Sequence, residues 1–189
     1  MVRRETWYFD KVGPENTQAC IELMEIAAAE GFQHIVAAST TGDSGAQAAR
    51  RLAGKDINYV VVGHSVGFRG PNIDEFLPEH FETITGMGGK VLKATILTHS
   101  LETSIADQFK GSAPTLLIAN TLRRFGQGIK VCCEIVMEAV DAGLIPEEAE
   151  VVAVGGTARG WDTVALIKSA ASKRFLKLSV LEIWAKPRV

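Results

Sequence analysis

Short apolar runs alternate with segments of helical periodicity along this chain. Between Pro14 and Gly31, apolar residues fall at helical spacing, which predicts a helix over 14–30 with one apolar face. Four short runs, each bounded by polar or turn residues, predict buried strands. These strands are His34–Ser39, Asn58–His64, Lys90–Thr95 and Glu150–Val154.

The segments between and after these strands have the features of helices. Further helices are predicted at Ser44–Leu52, Pro78–Thr85, Leu101–Phe109, Pro114–Phe125, Ile129–Ala142 and Trp161–Ala171, and a last strand at Leu176–Trp184. Short apolar strands that alternate with helices indicate a parallel sheet covered on both faces. We therefore expect one α/β domain over residues 1–189, with three α/β/α layers and a mainly parallel sheet that leaves room for one antiparallel edge strand.

Composition and charge narrow the classes of function. The formal net charge is −2, so the chain has no basic excess that would favour nucleic acid as a partner. It has neither an apolar run long enough for a membrane span nor a signal-peptide pattern, so we expect a cytoplasmic protein that does not enter a membrane. Cys20, Cys132 and Cys133 lack the spacing of a metal site or a disulfide framework, which favours small buried side chains and no metal.

The loop after the first predicted strand is rich in hydroxyls and glycines. It consists of Ser39, Thr40, Thr41, Gly42, Asp43, Ser44 and Gly45. A helix follows at once, and its first N–H groups together with the helix dipole suit a phosphate. The loop contains neither a Walker sequence nor Gly-x-Gly-x-x-Gly. The alternative is an ordinary helix start with Thr41 or Asp43 as the N-cap and nothing bound.

Polar residues also follow the other predicted strands. His64 ends the second strand, and Ser65 and Phe68 come after it. Four residues follow the fourth strand: Gly155, Gly156, Thr157 and Arg159. In a parallel sheet these loops share one edge, where open α/β sheets bind ligands. We expect Arg159 to add positive charge to a phosphate held by the first loop.

Histidines and large apolar side chains at this edge allow two interpretations. His64 is the weak catalytic candidate, as a general acid or base, and His99 is a weaker one; either can instead complete a strand end. Phe68, Met87 and Trp161 either flank a planar ring or cover the edge of the core.

The loop sequences resemble those of a known family. The chain is similar to the C-terminal domain of pyruvate kinase, and most similar to the stand-alone archaeal-type proteins of the pyruvate kinase C-terminal domain-like family. The likeness rests on 39–50 (STTGDSGAQAAR) and 154–161 (VGGTARGW), while the order of elements agrees along nearly the whole chain. In many pyruvate kinases the equivalent of the first loop holds a phosphate of a sugar-bisphosphate activator, and that of the second closes over the ligand.

The resemblance implies binding roles for Thr40–Gly45 and Gly156–Arg159. It does not imply kinase activity, because that chemistry lies in a separate barrel domain for which 189 residues leave no room. The stand-alone relatives are similar to proteins that bind flavin mononucleotide (FMN), which implies a phosphate on Thr40–Gly45 and a ring near His64–Phe68. Asp43 departs from the family pattern and leaves the identity of a sugar phosphate open.

Three functions follow as hypotheses. The first is an FMN-binding protein and flavin-dependent oxidoreductase, and the second is a non-catalytic module that senses a sugar phosphate. The third is a hydrolase or transferase that uses His64, so the sequence does not decide whether the protein is an enzyme. The apolar segment Leu176–Trp184 could form an edge strand that a second copy covers, which would give a homo-oligomer.

Overall fold

One seven-stranded sheet organises the chain, as seen in a computed structural model that describes residues 1 and 3–188. The strands are β1 (Trp7–Phe9), β2 (His34–Ala38), β3 (Asn58–His64), β4 (Lys90–Ala94), β5 (Glu150–Gly155), β6 (Thr163–Lys168) and β7 (Ser179–Pro187). Their order in the sheet is β1-β7-β6-β5-β2-β3-β4. Within the described residues, β6 runs opposite to the other strands, so the α/β class and the mainly parallel sheet are confirmed.

Helices connect most of these strands. They are α1 (Thr17–Ala29), α2 (Asp43–Leu52), α3 (Pro78–Gly86), α4 (Leu101–Phe109), α5 (Pro114–Leu122) and α6 (Gln127–Asp141), with 3₁₀ turns at Pro14–Asn16 and Ser172–Lys177. The predicted helices up to residue 142 are thus confirmed to within a few residues at their ends. Gly31, predicted to follow the first helix, lies just beyond α1 with a φ of +91°.

Two apolar cores lie on opposite faces of the sheet. On β2, Ile35 and Ala37 contribute to one core, which α1 and α2 cover. Val36 points to the other face, where α6 supplies most of the covering side chains. This alternation is expected for strands buried on both faces, and the arrangement is consistent with three α/β/α layers.

The prediction of a helix at Trp161–Ala171 is wrong. It contains strand β6, which pairs antiparallel with β5 across the short loop between Gly155 and Thr163. A short apolar run has no decisive period, and the β-branched Thr163, Val164 and Ile167 favour the strand.

The expected antiparallel strand is also misplaced. β6 lies inside the sheet between β5 and β7, not at an edge. Leu176 belongs to a 3₁₀ turn. A short strand that the sequence did not predict, β1, pairs with Ala185–Pro187 at the end of β7, and its register includes none of residues 179–184. Part of the predicted edge thus remains, with Val180 37% and Leu181 44% exposed, and the homo-oligomer stays a prediction.

The order of strands decides where the loops meet. β2 lies between β3 and β5 and is parallel to both, so the loops after these strands leave the same edge. The chain moves from β2 outward to β3 and β4 and then returns to β5, which makes β2 and β5 the switch point where open sheets bind ligands.

No helix in the described part of the chain is long and apolar enough to span a membrane.

Candidate functional site

The loop between β2 and α2 begins its helix with a glycine. Gly42 is the N-cap with a φ of +89°, and no side chain caps it, so the prediction of Thr41 or Asp43 as the cap is wrong. The Asp43 carboxylate instead accepts a hydrogen bond of 3.1 Å from Gln47 Nε2, along the surface of the helix. Ser39 Oγ accepts one from the Gly45 N–H at 3.4 Å.

Close packing of Phe76 accounts for two glycines at this edge. A Cβ on Gly42 would lie 2.6 Å from Phe76 Cε1, and one on Gly63 would lie 2.7 Å from Phe76 Cδ2. The Leu77 N–H also donates to Thr41 O at 3.0 Å, so the segment before α3 is fixed to the loop. The Asp43 side chain is exposed and Ser44 is half-buried, which leaves the outer side of the loop accessible.

The β5–β6 loop is held by Asp162, a residue that the sequence analysis did not select. Its side chain is 0% exposed. Oδ2 accepts hydrogen bonds of 3.1 Å from the N–H groups of Gly13 and Thr157, and Oδ1 accepts one of 2.8 Å from Thr163 Oγ1. The loop is therefore fixed at its base, while Arg159 at its tip is exposed.

Trp161 joins the two loops. Its ring is buried, and Nε1 donates to Ala38 O, at the end of β2, over 2.6 Å. The side chain thus covers the edge of the core and does not present a stacking surface. Because β2 and β5 are neighbours, this contact holds Gly155, Gly156 and Thr157 beside the Ser39–Gly45 loop.

At the end of β3, His64 has a carboxylate partner from a distant part of the sequence. Its Nδ1 lies 2.9 Å from Glu75 Oε2. Its ring centroid is 4.7 Å from that of Phe68, which is 43% exposed, and Ser65 follows half-buried. Sequence reasoning found no carboxylate beside His64, because the loop that returns Glu75 to it has no recognisable pattern.

A cavity of about 140 Å³ opens at this edge, between the strand ends and α6. Ser39 and Thr40 after β2, and His64 at the end of β3, form one wall. Gln127 and three charged residues of α6 form much of the opposite wall: Lys130, Glu134 and Glu138. We call this space the α6 cavity.

The charged side chains of the α6 cavity are almost fully enclosed. Lys130 and Glu134 are each 4% exposed and Glu138 is 7% exposed. Lys130 Nζ forms an ion pair with Glu134 Oε2. Glu134 Oε1 accepts hydrogen bonds from Thr98 Oγ1 at 2.5 Å and from the Thr98 N–H at 3.1 Å, which attaches the loop after β4 to α6.

Glu138 has different surroundings. The Leu97 N–H favours its charged form, but no side chain among residues 1 and 3–188 donates a hydrogen bond to it. Burial, and then the negative charge of Glu134, raise the pKa of Glu138 to about 8. The carboxyl group therefore keeps its proton at neutral pH.

His99 belongs to a structural chain of hydrogen bonds beneath the cavity. Arg123 Nη2 donates to His99 Nε2 at 3.2 Å, which leaves Nδ1 as the donor to Thr98 Oγ1 at 2.7 Å. Burial, followed by the charges of Lys130 and Arg123, lowers the pKa of His99. These contacts favour the structural interpretation of His99.

The sequence contained one signal for the α6 cavity. Lys130, Glu134 and Glu138 are spaced four residues apart, so they lie on one face of a helix. The neighbouring apolar residues mark a buried helix but do not reveal that this charged face is also enclosed.

No protein-family model matches the sequence.

Proposed function

We propose that this protein binds a phosphorylated small molecule at the C-terminal edge of the sheet, with its phosphate on the Thr40–Gly45 loop. The observation that carries the proposal is that Thr40 belongs both to this loop and to the wall of the α6 cavity, which Ser39 just before the loop also lines. A phosphate on the loop would therefore leave the rest of the ligand beside a polar cavity.

The start of α2 supplies the attraction for an anion. Its first N–H groups carry the positive end of the helix dipole, and Thr41 and Ser44 add hydroxyl donors. Arg159 lies on the neighbouring loop with an exposed side chain that is available to a phosphate. The negative charge of Asp43 would repel an anion, although its carboxylate accepts a hydrogen bond from Gln47.

FMN is the first ligand to test. The resemblance to the pyruvate kinase C-terminal domain-like family supports it, and so does the partly exposed ring of Phe68 against His64. A cavity of about 140 Å³ is close to one that holds benzene, so a three-ring flavin would lie over His64 and Phe68 outside it. With FMN bound there, the protein would be a flavin-dependent oxidoreductase.

A sugar phosphate is the second candidate ligand. The enclosed hydroxyl, amide and charged groups of the α6 cavity favour a small polar molecule over an apolar ring. Binding without chemistry would make the protein a regulatory module that acts through a partner. The buried free thiols Cys20, Cys132 and Cys133 agree with a reducing compartment, so the proposal includes a cytoplasmic location.

A visible spectrum of the protein purified without added cofactor, followed by thermal unfolding with FMN and with ribose 5-phosphate, tests the proposal. A ligand at a hundred times its Kd should add about 2.7 kcal/mol to the free energy of unfolding. We expect Ser44→Ala and Arg159→Gln to weaken the shift, and the exposed Arg50→Gln, near the far end of α2, to preserve it. Absence of flavin bands and of a shift with either ligand would contradict the proposal.

A further inference from the structure

Three buried ionisable side chains of one helix line the α6 cavity. Glu134 has a structural role, because it holds both the N–H and the hydroxyl of Thr98. Lys130 is paired with Glu134, and Glu138 accepts a hydrogen bond from the Leu97 N–H; both side chains are more than nine-tenths buried in the wall of the cavity. Burying such groups is costly, and apolar side chains would cover the sheet at less cost. We infer that they serve a ligand.

The opposite wall of the cavity carries a histidine in a defined orientation. Glu75 Oε2 lies 2.9 Å from His64 Nδ1. When Nδ1–H donates to this carboxylate, Nε2 is the ring nitrogen that can accept a proton. A carboxylate that fixes the tautomer of a histidine in this way is the usual support of a general base.

The size of the cavity limits what it encloses. About 140 Å³ is comparable to a cavity that accommodates benzene, that is, about six non-hydrogen atoms. A three-carbon chain with three oxygens has this size. Its hydroxyl and carbonyl oxygens would find partners in Ser39, Thr40 and Gln127, which line the cavity.

We propose that the α6 cavity is a proton-transfer site for a three-carbon hydroxy-carbonyl compound, with His64 as base, Glu138 as acid and Lys130 next to the oxygen that gains charge. The position of the substrate's phosphate rests on the proposed function. Burial keeps Glu138 protonated at neutral pH, because its pKa is raised to about 8. The charged groups that face Glu138 are Glu134, Lys130 and Asp141, together with the Leu97 N–H.

The reaction balances without another reactant. His64 Nε2 takes the proton from the carbon next to the carbonyl, and the C–H electron pair forms a carbon–carbon double bond. The carbonyl electron pair moves to oxygen, which takes the proton of Glu138 to give an enediol. The neighbouring hydroxyl then returns its proton to Glu138 as the second carbonyl forms, and His64 gives its proton to the first carbonyl carbon. The product is an isomer, and both residues regain their starting states.

Proton exchange with solvent tests the proposal on the intact chain. The protein is incubated in D₂O with dihydroxyacetone phosphate, and with dihydroxyacetone as the phosphate-free probe. Proton NMR follows the loss of the C–H signals next to the carbonyl, and phosphorus NMR follows binding. We expect exchange above the buffer rate, lowered at least about 100-fold in His64→Gln and in Glu138→Gln. Glu22→Gln, an exposed glutamate of α1, should leave the rate unchanged.

The outcomes separate this inference from the proposed function. If dihydroxyacetone phosphate binds without exchange, or if folded His64→Gln and Glu138→Gln exchange at the native rate, the inference is overturned and phosphate binding stands. If the phosphate-free probe exchanges as fast as its phosphate and both variants lose this activity, the inference stands and the phosphate site is wrong. If dihydroxyacetone phosphate neither binds nor exchanges, both the inference and the proposed phosphate site are overturned. Circular dichroism and thermal unfolding establish whether each variant is folded. If a variant is unfolded, exchange by the native chain decides the inference: exchange above the buffer rate supports it, and no exchange overturns it.

Discussion

Helices α1 and α6 cover opposite faces of the same sheet, but they bury different side chains. α1 buries an apolar stripe that includes Cys20 and Met24, while its Glu22 faces water. α6 buries apolar residues too, but it also encloses Lys130, Glu134 and Glu138. Since α1 covers its face without a buried charge, covering the sheet does not by itself require the charges of α6. The difference supports the proposal that the charged face of α6, over residues 130–138, serves a ligand.

The largest effect is expected from Lys130→Met, which removes the positive partner of a buried pair. Glu134 would remain enclosed without its counter-charge, and such a loss costs about 3–5 kcal/mol of the free energy of unfolding. Urea unfolding at pH 8 measures it. Adding Glu134→Gln, which still accepts the Thr98 hydrogen bonds, should recover much of the loss. If Lys130→Met lowers the free energy of unfolding by less than about 1 kcal/mol, the ion pair contributes no more than a surface pair does. The difference between α6 and α1 would then have no energetic basis.

An effect of similar size is a dependence of stability on pH. Because the folded pKa of Glu138 is raised to about 8, its contribution to stability is fully present below the ordinary value of 4.5 and is lost as pH rises through 8. The stability of Glu138→Gln relative to the native chain should therefore increase between these values by about 1.4 kcal/mol for each pH unit, and level off above pH 8. Urea unfolding from pH 4 to 9 checks this, and a constant difference would show that Glu138 is not shifted.

A smaller effect is expected at the loop on the α1 side of the edge. Gly42→Ala places a Cβ 2.6 Å from Phe76 Cε1 at a φ of +89°. Gly54→Ala is the matched control, because its φ is +76° and nothing lies within 4 Å. Both variants carry the strain of a left-handed alanine, so the clash alone should make Gly42→Ala about 1–3 kcal/mol worse. Equal losses in thermal unfolding would mean that neither Phe76 nor His80, whose Cβ is also 2.6 Å from the added Cβ, packs on this loop.

The smallest effect is expected from Arg51→Gln on the α1 side. Arg51 and Glu25 form a surface ion pair at 2.5 Å, with 55% of the arginine side chain exposed. Such pairs contribute about 0–1 kcal/mol, because water screens them. The same urea assay used for Lys130→Met should therefore show a change of less than 1 kcal/mol, which decreases further in 1 M salt.

Much of the fold could be predicted from the sequence where periodicity was long. The helix over 14–30 and the strand Asn58–His64 combine several turns or several β-branched residues, so one period dominates. β6 was missed because its short apolar run suits either structure, and pairing with β5 and β7 decided it. β1 was missed because three residues carry no period, and their strand exists only through its pairing with β7.

The candidate site was predictable only in part. That the polar loops share one edge followed from the parallel topology, and β2 and β5 are neighbours as that argument required. The Glu75 partner of His64 could not be foreseen, since a loop without regular structure brings it back. The enclosure of Lys130 and Glu138 could not be foreseen either, because helical spacing tells which residues share a face but not what covers that face.

The two proposals together require one ligand that spans the Thr40–Gly45 loop and the α6 cavity. Backbone amide NMR of the isotope-labelled chain during titration with dihydroxyacetone phosphate tests it most directly, with inorganic phosphate as the comparison. We predict that phosphate shifts the amides of Gly42–Gly45 alone, that the full compound also shifts Gln127–Glu138, and that Cys20–Met24 of α1 stay unchanged. Unchanged loop amides, or shifts spread equally over α1 and α6, would contradict it.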